Sequence, residues 1–210
     1  REEEKGQAGA PREELVYAST KDIRDINPHL YGGEMAAQGM VFEPLVINTA
    51  EGVRPWLAES WEMSNGGKTW TFTLRDNVSF SDGTPLTAND VVATAQYILN
   101  RATDQYVDDK GYYRNLQYFI NSISSKGDRT VVVKTSRPYW GMLYAMTFPV
   151  LPADRVGDDN PPGTGPYVIQ SFSAGDYLYL TANPLWWQTH ILPFIILCGK
   201  TLYPESEIQA

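Results

Sequence analysis

Gly67-Lys68-Thr69-Trp70-Thr71-Phe72-Thr73-Leu74-Arg75 leads, four residues later, into Phe80-Ser81-Asp82-Gly83-Thr84-Pro85-Leu86-Thr87-Ala88-Asn89-Asp90-Val91. In the first part Trp70, Phe72 and Leu74 alternate with Thr69, Thr71 and Thr73, the period-two pattern of a half-buried strand. Asn65-Gly66-Gly67 just ahead tolerates positive φ, so Trp61 to Ser64 is expected to pair back as a hairpin. Ser81-Asp82-Gly83 marks a second turn. Thr87 is then the expected N-cap of a helix with acids in its first turn. That helix should run to about Asn100, with Val91, Val92, Ala95, Ile98 and Leu99 as its inward stripe.

Outward from this unit the chain reads as mixed strands and helices. Leu15 to Ser19 is a strand-like run behind a polar, charged leader without aromatics, residues 1–14, expected to be disordered. Asn27-Pro28 and Gly32-Gly33 break regular structure. Met35, Ala36 and Met40 suggest a short helix from Glu34 to Phe42, which Pro44 ends by disfavouring helical backbone at Glu43. A helix is expected around 113–122 and a strand from Thr130 to Thr135. Pro161-Pro162-Gly163-Thr164-Gly165-Pro166 is a rigid turn cluster. A hairpin joins 167–172 to 177–182 across Ala174-Gly175. Strands follow near 194–198 and 200–203, and a helix start at Pro204-Glu205-Ser206-Glu207 stands so close to the end that the chain looks cut short.

Composition narrows the function. The 210 residues carry 25 acids against 17 bases, a net charge of −8, and lack the positive footprint that nucleic-acid binding requires. Six Trp and 13 Tyr supply rigid amphipathic rings suited to a ligand-lining wall, although most would serve as core in a sheet-rich fold. The single Cys198 lies in the apolar run Ile195-Ile196-Leu197-Cys198 and reads as a buried thiol, not a ligand or nucleophile. The longest apolar run, Ile191 to Cys198, is too short to span a bilayer as a helix.

Catalytic patterns fail in turn. The two histidines, His29 and His190, are far apart, and no Gly-x-Ser-x-Gly elbow is present. Gly163-Thr164-Gly165 is followed by a proline without an amide N–H and by no lysine, so it reads as a tight turn and not as a phosphate loop. Asp108-Asp109 and Asp158-Asp159 fall in polar loops without calcium-loop spacing. These features describe a binder; no catalytic residue and no cofactor is expected.

Four segments in order resemble the peptide/nickel family (family 5 type) of ABC-transporter extracytoplasmic solute-binding proteins. They are Asn27-Pro28-His29-Leu30-Tyr31 with Met40-Val41-Phe42-Glu43-Pro44-Leu45-Val46; Pro55-Trp56-Leu57-Ala58-Glu59-Ser60-Trp61; the stretch Gly67 to Val91; and Gly163-Thr164-Gly165-Pro166-Tyr167. The resemblance implies an α/β (α+β mixed) fold: lobe one of a two-lobed periplasmic-binding-protein-like architecture, with flanking helices and the second lobe absent from this sequence. Residues 15–48 and 163–210 would form the core part of the lobe and 49–162 an inserted subdomain. It also implies a solute-binding component that captures oligopeptides or dipeptides outside the membrane, in the periplasm or on the outer face of the cell membrane as a lipoprotein. Its partners would be the ligand and ABC permease subunits, and an exposed interlobe face would favour self-association.

Ligand-facing candidates are Tyr31, Gly33, Glu34 and Met35 on the loop before the first helix, then Tyr139, Trp140 and Phe148; local packing is the competing role for each. Nickel-chelate binding within the same family is the alternative. Asn-Pro-His-Leu-Tyr and Met35 resemble nickel-binding members, and His29 is a weak metal candidate. The stretch Tyr144 to Pro152, however, lacks the arginines with which those members hold a chelator, leaving Arg101 or Arg114 as substitutes. An interaction or adhesin fragment with no transport role is the reading from another class.

Overall fold

Alternation of large apolar side chains with threonine makes a strand two-faced, and the computed structural model shows what each face meets. It describes residues 24–31 and 37–188, together with the backbone of 14–18 and 195–199. Strands β1 (Glu14–Ala18), β2 (Val46–Thr49), β3 (Gly52–Pro55), β4 (Ala58–Ser64) and β5 (Thr69–Leu74) precede helix α1 (Ala88–Thr103). Strands β6 (Ser122–Lys126) and β7 (Thr130–Lys134), the one-turn α2 (Met142–Ala145), and strands β8 (Tyr167–Ser173), β9 (Tyr177–Ala182) and β10 (Ile195–Gly199) follow.

The expected hairpin forms: β4 and β5 pair antiparallel with Trp61 opposite Phe72. Its turn places Asn65, Gly66 and Gly67 all at positive φ, between 51° and 86°, a conformation glycine adopts freely and asparagine tolerates. The sheet continues in the order β4-β5-β7-β6, all antiparallel. Trp70, Phe72 and Leu74 are buried in the core, and Trp70 and Phe72 stand opposite Val133 and Val131 of β7. Helix α1 covers this face through Val91, Ala95 and Ile98, while Val92 and Leu99 are only partly buried at its flank. It runs three residues past Asn100, where Ala102 continues the buried stripe.

A second sheet has the order β1-β10-β9-β8, parallel only between β1 and β10. A smaller core of Ile26, Val41, Phe42, Leu151, Tyr167, Leu178 and Leu180 gathers with it. The hairpin β8–β9 and the strand at 130–134 stand where the sequence puts them. Two expectations change. The helix expected over 113–122 is a 3₁₀ turn, Arg114–Tyr118, because Ser122 already enters β6 and pairs with Lys134. The helix expected over 34–42 is described only from Ala37, where Gln38–Met40 forms a 3₁₀ turn pinned by the Gln38 amide, which donates to the Asp25 and Ile26 carbonyls. The leader up to residue 13, Glu34 to Ala36, the strand expected at 200–203 and the helix start at 204–207 lie outside the described residues, as does the Cys198 side chain. No described helix is long and apolar enough to cross a membrane.

Two short segments step between the cores. Phe42 belongs to the smaller core and Leu45 to the larger; Val150 belongs to the larger and Leu151 to the smaller. They pair with each other, Pro44 bridging Pro149 and the Val150 N–H donating to the Glu43 carbonyl at 2.9 Å. Glu43 therefore sits on the seam.

Candidate functional site

Pro44 disfavours helical backbone at Glu43, and the seam buries Glu43 to 2% exposure. A buried acid needs hydrogen-bond donors. Glu43 receives four: Trp56 Nε1 at 2.6 Å and Trp186 Nε1 at 3.2 Å on Oε2, and Trp187 Nε1 at 3.0 Å and the Thr164 hydroxyl at 2.9 Å on Oε1. Indole N–H groups only donate and an ionised carboxylate only accepts, so the set is chemically matched. Burial pushes the Glu43 pKa above its ordinary value, and the four donors, which favour the ion, oppose it.

The rings are ordered with respect to one another. Trp56 and Trp187 stand edge to face, centroids 5.4 Å apart, and Trp186 lies 6.3 Å from Trp187. Arg75 Nε donates to the Trp56 carbonyl, and its guanidinium rests 4.6 Å from the centre of the Trp187 ring. Thr164 reaches Glu43 because Gly163 and Gly165 allow the 163–165 turn to lie directly on the Val41 backbone, where a Cβ on either glycine would collide with the Val41 carbonyl. The Gly165 N–H donates to that carbonyl at 2.9 Å.

Beside this cluster opens a cleft of about 400 Å³. Glu43, Ile47, Trp56, Tyr113, Pro149 and Trp186 are among its lining residues. A concave, mostly aromatic and apolar surface with one fixed polar centre is the usual form of a small-molecule site.

The described candidates named from sequence, Tyr31, Tyr139, Trp140 and Phe148, lie outside this cleft. Tyr31 is half-buried, with the Arg24 guanidinium 5.7 Å from its ring centre. Gly33, Glu34 and Met35 lie outside the described residues. Tyr139 stacks on Phe119, centroids 4.7 Å apart and planes 3° from parallel. Trp140 is 68% exposed and lies against Gly67 at the hairpin turn. The length of β4 puts that turn about 20 Å from the Trp56 end of the sheet. Phe148 is fully buried in the larger core, so its ring packs against protein. His29 is buried, with Nε2 engaged by the Pro149 carbonyl. Arg101 and Arg114 donate to the carbonyls of Asp109 and Gly111. Among the described residues no group of three or more His, Cys, Asp or Glu is arranged to hold a metal ion.

Glu43, Trp56, Trp186 and Trp187 were missed as a site. Glu43, Trp56 and Thr164 lie within segments that carry the family resemblance. What could have flagged the set was a lone acid between Phe42 and Pro44 in a chain with unusually many indoles, but nothing local says that the indoles converge on it.

The comparisons with known proteins agree with this architecture. Against the crystal structure of NikA from Brucella suis in complex with Fe(III)-EDTA the TM-score is 0.78 at 29% identity, covering 92% of this chain and 40% of that chain. Against NikZ from Campylobacter jejuni in complex with Ni(L-His) it is 0.80 at 23% identity, a likeness of fold, covering 95% and 41%. The fold is that of a periplasmic binding protein, of which this chain covers part. Residues 52–198 match the family described as bacterial extracellular solute-binding proteins, family 5, middle region, and the chain belongs to that family. The nickel-binding periplasmic protein of Escherichia coli K12 is 34% identical over 194 residues, 86% of this chain and 36% of that protein. The periplasmic oligopeptide-binding protein OppA of Haemophilus influenzae is 28% identical over 201 residues, 84% and 37%. This chain thus spans a little over a third of the length of these relatives.

Proposed function

We propose that this chain is part of the solute-binding component of an ABC importer, capturing oligopeptides or dipeptides outside the membrane and delivering them to the permease. The observation that carries this reading is the aromatic cleft of about 400 Å³ beside Glu43, in a chain whose relatives are named as binding proteins. Its size suits a small guest, and its fixed polar centre serves orientation without supplying a nucleophile and base. Tyr31, Gly33, Glu34 and Met35 are the proposed ligand-facing residues of the preceding loop, with Tyr139 and Trp140 reserved for a guest that reaches the hairpin end.

Residues 15–48 and 163–210 are proposed as the core part of one lobe and 49–162 as its inserted subdomain, a division supported by the two separate four-stranded sheets. The protein would act extracytoplasmically, held at the membrane by a lipid anchor or by the permease, and an uncovered lobe face would favour self-association.

A nickel chelate is the second reading, supported by the 34% identity to the E. coli nickel-binding protein. It stands second because Tyr144 to Pro152 has no arginine and because Arg101 and Arg114 are engaged by loop carbonyls. Calorimetry of the complete protein against mixed di- and oligopeptides, and against nickel with histidine, tests the choice. Saturable heat with peptides alone supports the first reading; with nickel-histidine alone, the second. A folded protein silent to both is an interaction module and not a transporter component.

A further inference from the structure

Buried charges in proteins are ordinarily matched by an opposite charge. Glu43 is satisfied differently: its four partners are neutral donors. Among the described residues no lysine or arginine forms an ion pair with it, in contrast to pairs such as Arg54–Glu51, Arg129–Glu59 and Arg155–Asp158. The hydrogen bonds remove the cost of unmet lone pairs but leave a net negative charge, and that charge borders a cleft open to a guest.

The rings around it favour a cation. Trp56, Trp186 and Tyr113 line the cleft, and aromatic faces attract positive charge through their quadrupole. Trp56 and Trp186 each donate their N–H to the carboxylate, which polarises the ring toward greater negative charge. The cluster already holds one cation this way, the Arg75 guanidinium over Trp187.

We propose that the Glu43–Trp56–Trp186 cleft is a subsite for the positively charged end of the guest, an ammonium or guanidinium carried on an apolar stem. The proposal rests on the solute-binding reading and narrows its substrate class. Two donors already occupy each carboxylate oxygen, which fills the acceptor sites of the group. The cation is therefore held by through-space attraction and by ring faces, not by a direct hydrogen bond. The subsite selects charge over hydrogen-bond geometry, so primary and quaternary ammonium groups are accepted alike and a neutral isostere is not.

The test is a titration of the complete protein, followed through the indole N–H resonances of Trp56 and Trp186, with n-butylammonium chloride, tetramethylammonium chloride, n-butanol and sodium chloride. Both ammonium probes should move the two resonances saturably, and n-butanol about tenfold more weakly or not at all. Ile47→Lys, a lining substitution that leaves the Glu43 hydrogen bonds intact, places an ammonium in the cleft and should abolish the response while indole dispersion is kept. Equal shifts with butanol, no shift with either ammonium probe, or an unchanged response in Ile47→Lys overturns the proposal. Calorimetry separates this from the broader reading. Peptides that bind without preferring lysine or arginine over norleucine defeat the subsite and leave the transport function standing. An ammonium response in a protein that binds neither peptide nor chelate defeats the transport function and leaves the subsite.

Discussion

The Nε2 of His29 lies 2.7 Å from the carbonyl oxygen of Pro149, and the same ring stands edge-on to Tyr113 with centroids 5.7 Å apart. Pro149 and Tyr113 both line the cleft, so one buried imidazole ties two of its segments together. Nε2 is the donor in this contact, which leaves Nδ1 a bare acceptor, buried and without a hydrogen-bond partner. Burial lowers the His29 pKa to about 4; the positive Arg101 pushes the same way and the Pro149 contact opposes both.

The first prediction is pH dependence. Unfolded histidine binds its proton near pH 6.5 while folded His29 does so only near pH 4. The stabilisation is therefore present above pH 6.5 and is lost as the pH falls through 4, by about 3 kcal/mol in all. Glu43 acts in the opposite sense, since its raised pKa gives stability that is lost as the pH rises. Urea unfolding of wild type and His29→Phe isolates the histidine: the gap between them should narrow steadily from pH 7 to pH 4. A constant gap would refute the account.

Glu43→Ala removes the acceptor shared by three part-buried indole N–H groups and the buried Thr164 hydroxyl. With the Thr164 hydroxyl buried and the indoles part-buried, the lost hydrogen bonds should together cost about 2–4 kcal/mol. Chemical denaturation reads the loss, and near-ultraviolet circular dichroism should show the tryptophan signal collapsing with it. A change below about 1 kcal/mol would mean that the cluster does not hold the seam.

Gly163→Ala and Gly39→Ala make a matched pair. The new methyl at 163 strikes the Val41 carbonyl and the Phe42 ring, whereas at 39 nothing lies within 4 Å. The first should cost about 3 kcal/mol or more, and the second less than about 1 kcal/mol, by thermal or urea unfolding. Similar losses at both positions would show that close approach is not why the turn carries glycine.

Helix α1 is fastened at its start by Asp90. Oδ2 accepts the Thr87 N–H at 2.8 Å and Oδ1 the Ala153 N–H at 2.9 Å, while Thr94 exchanges hydrogen bonds with the backbone of Leu151. Asp90→Ala should lower stability by about 2 kcal/mol, more than a cap alone removes, because it also frees the 151–153 segment. Hydrogen exchange should then rise at the amides of both Thr87 and Ala153. Exchange confined to Thr87 would reduce Asp90 to a local cap.

Strands β5, β7, β8 and β9 and helix α1 could be read directly, because their signals are local: alternation, a tolerant turn, a capping threonine and a 3.6-residue stripe. The helix expected after Tyr113 gives way because a polar strand such as Ser122 to Lys126 has one inward residue, Ile123, and is made a strand by pairing with β7. Phe148 and Trp140 show the same limit at the site, since an aromatic residue in a loop has no local mark that separates a core ring from an exposed one.

By itself the sequence determined the family, the sheet-and-helix alternation and the net charge of −8, all properties of neighbouring residues or of overall composition. Only the tertiary structure decided that Glu43, Trp56, Thr164, Trp186 and Trp187 meet at one seam. They are separated by up to 144 residues, and the energy that joins them, hydrogen bonding to a desolvated carboxylate, exists only once the two cores have formed around it.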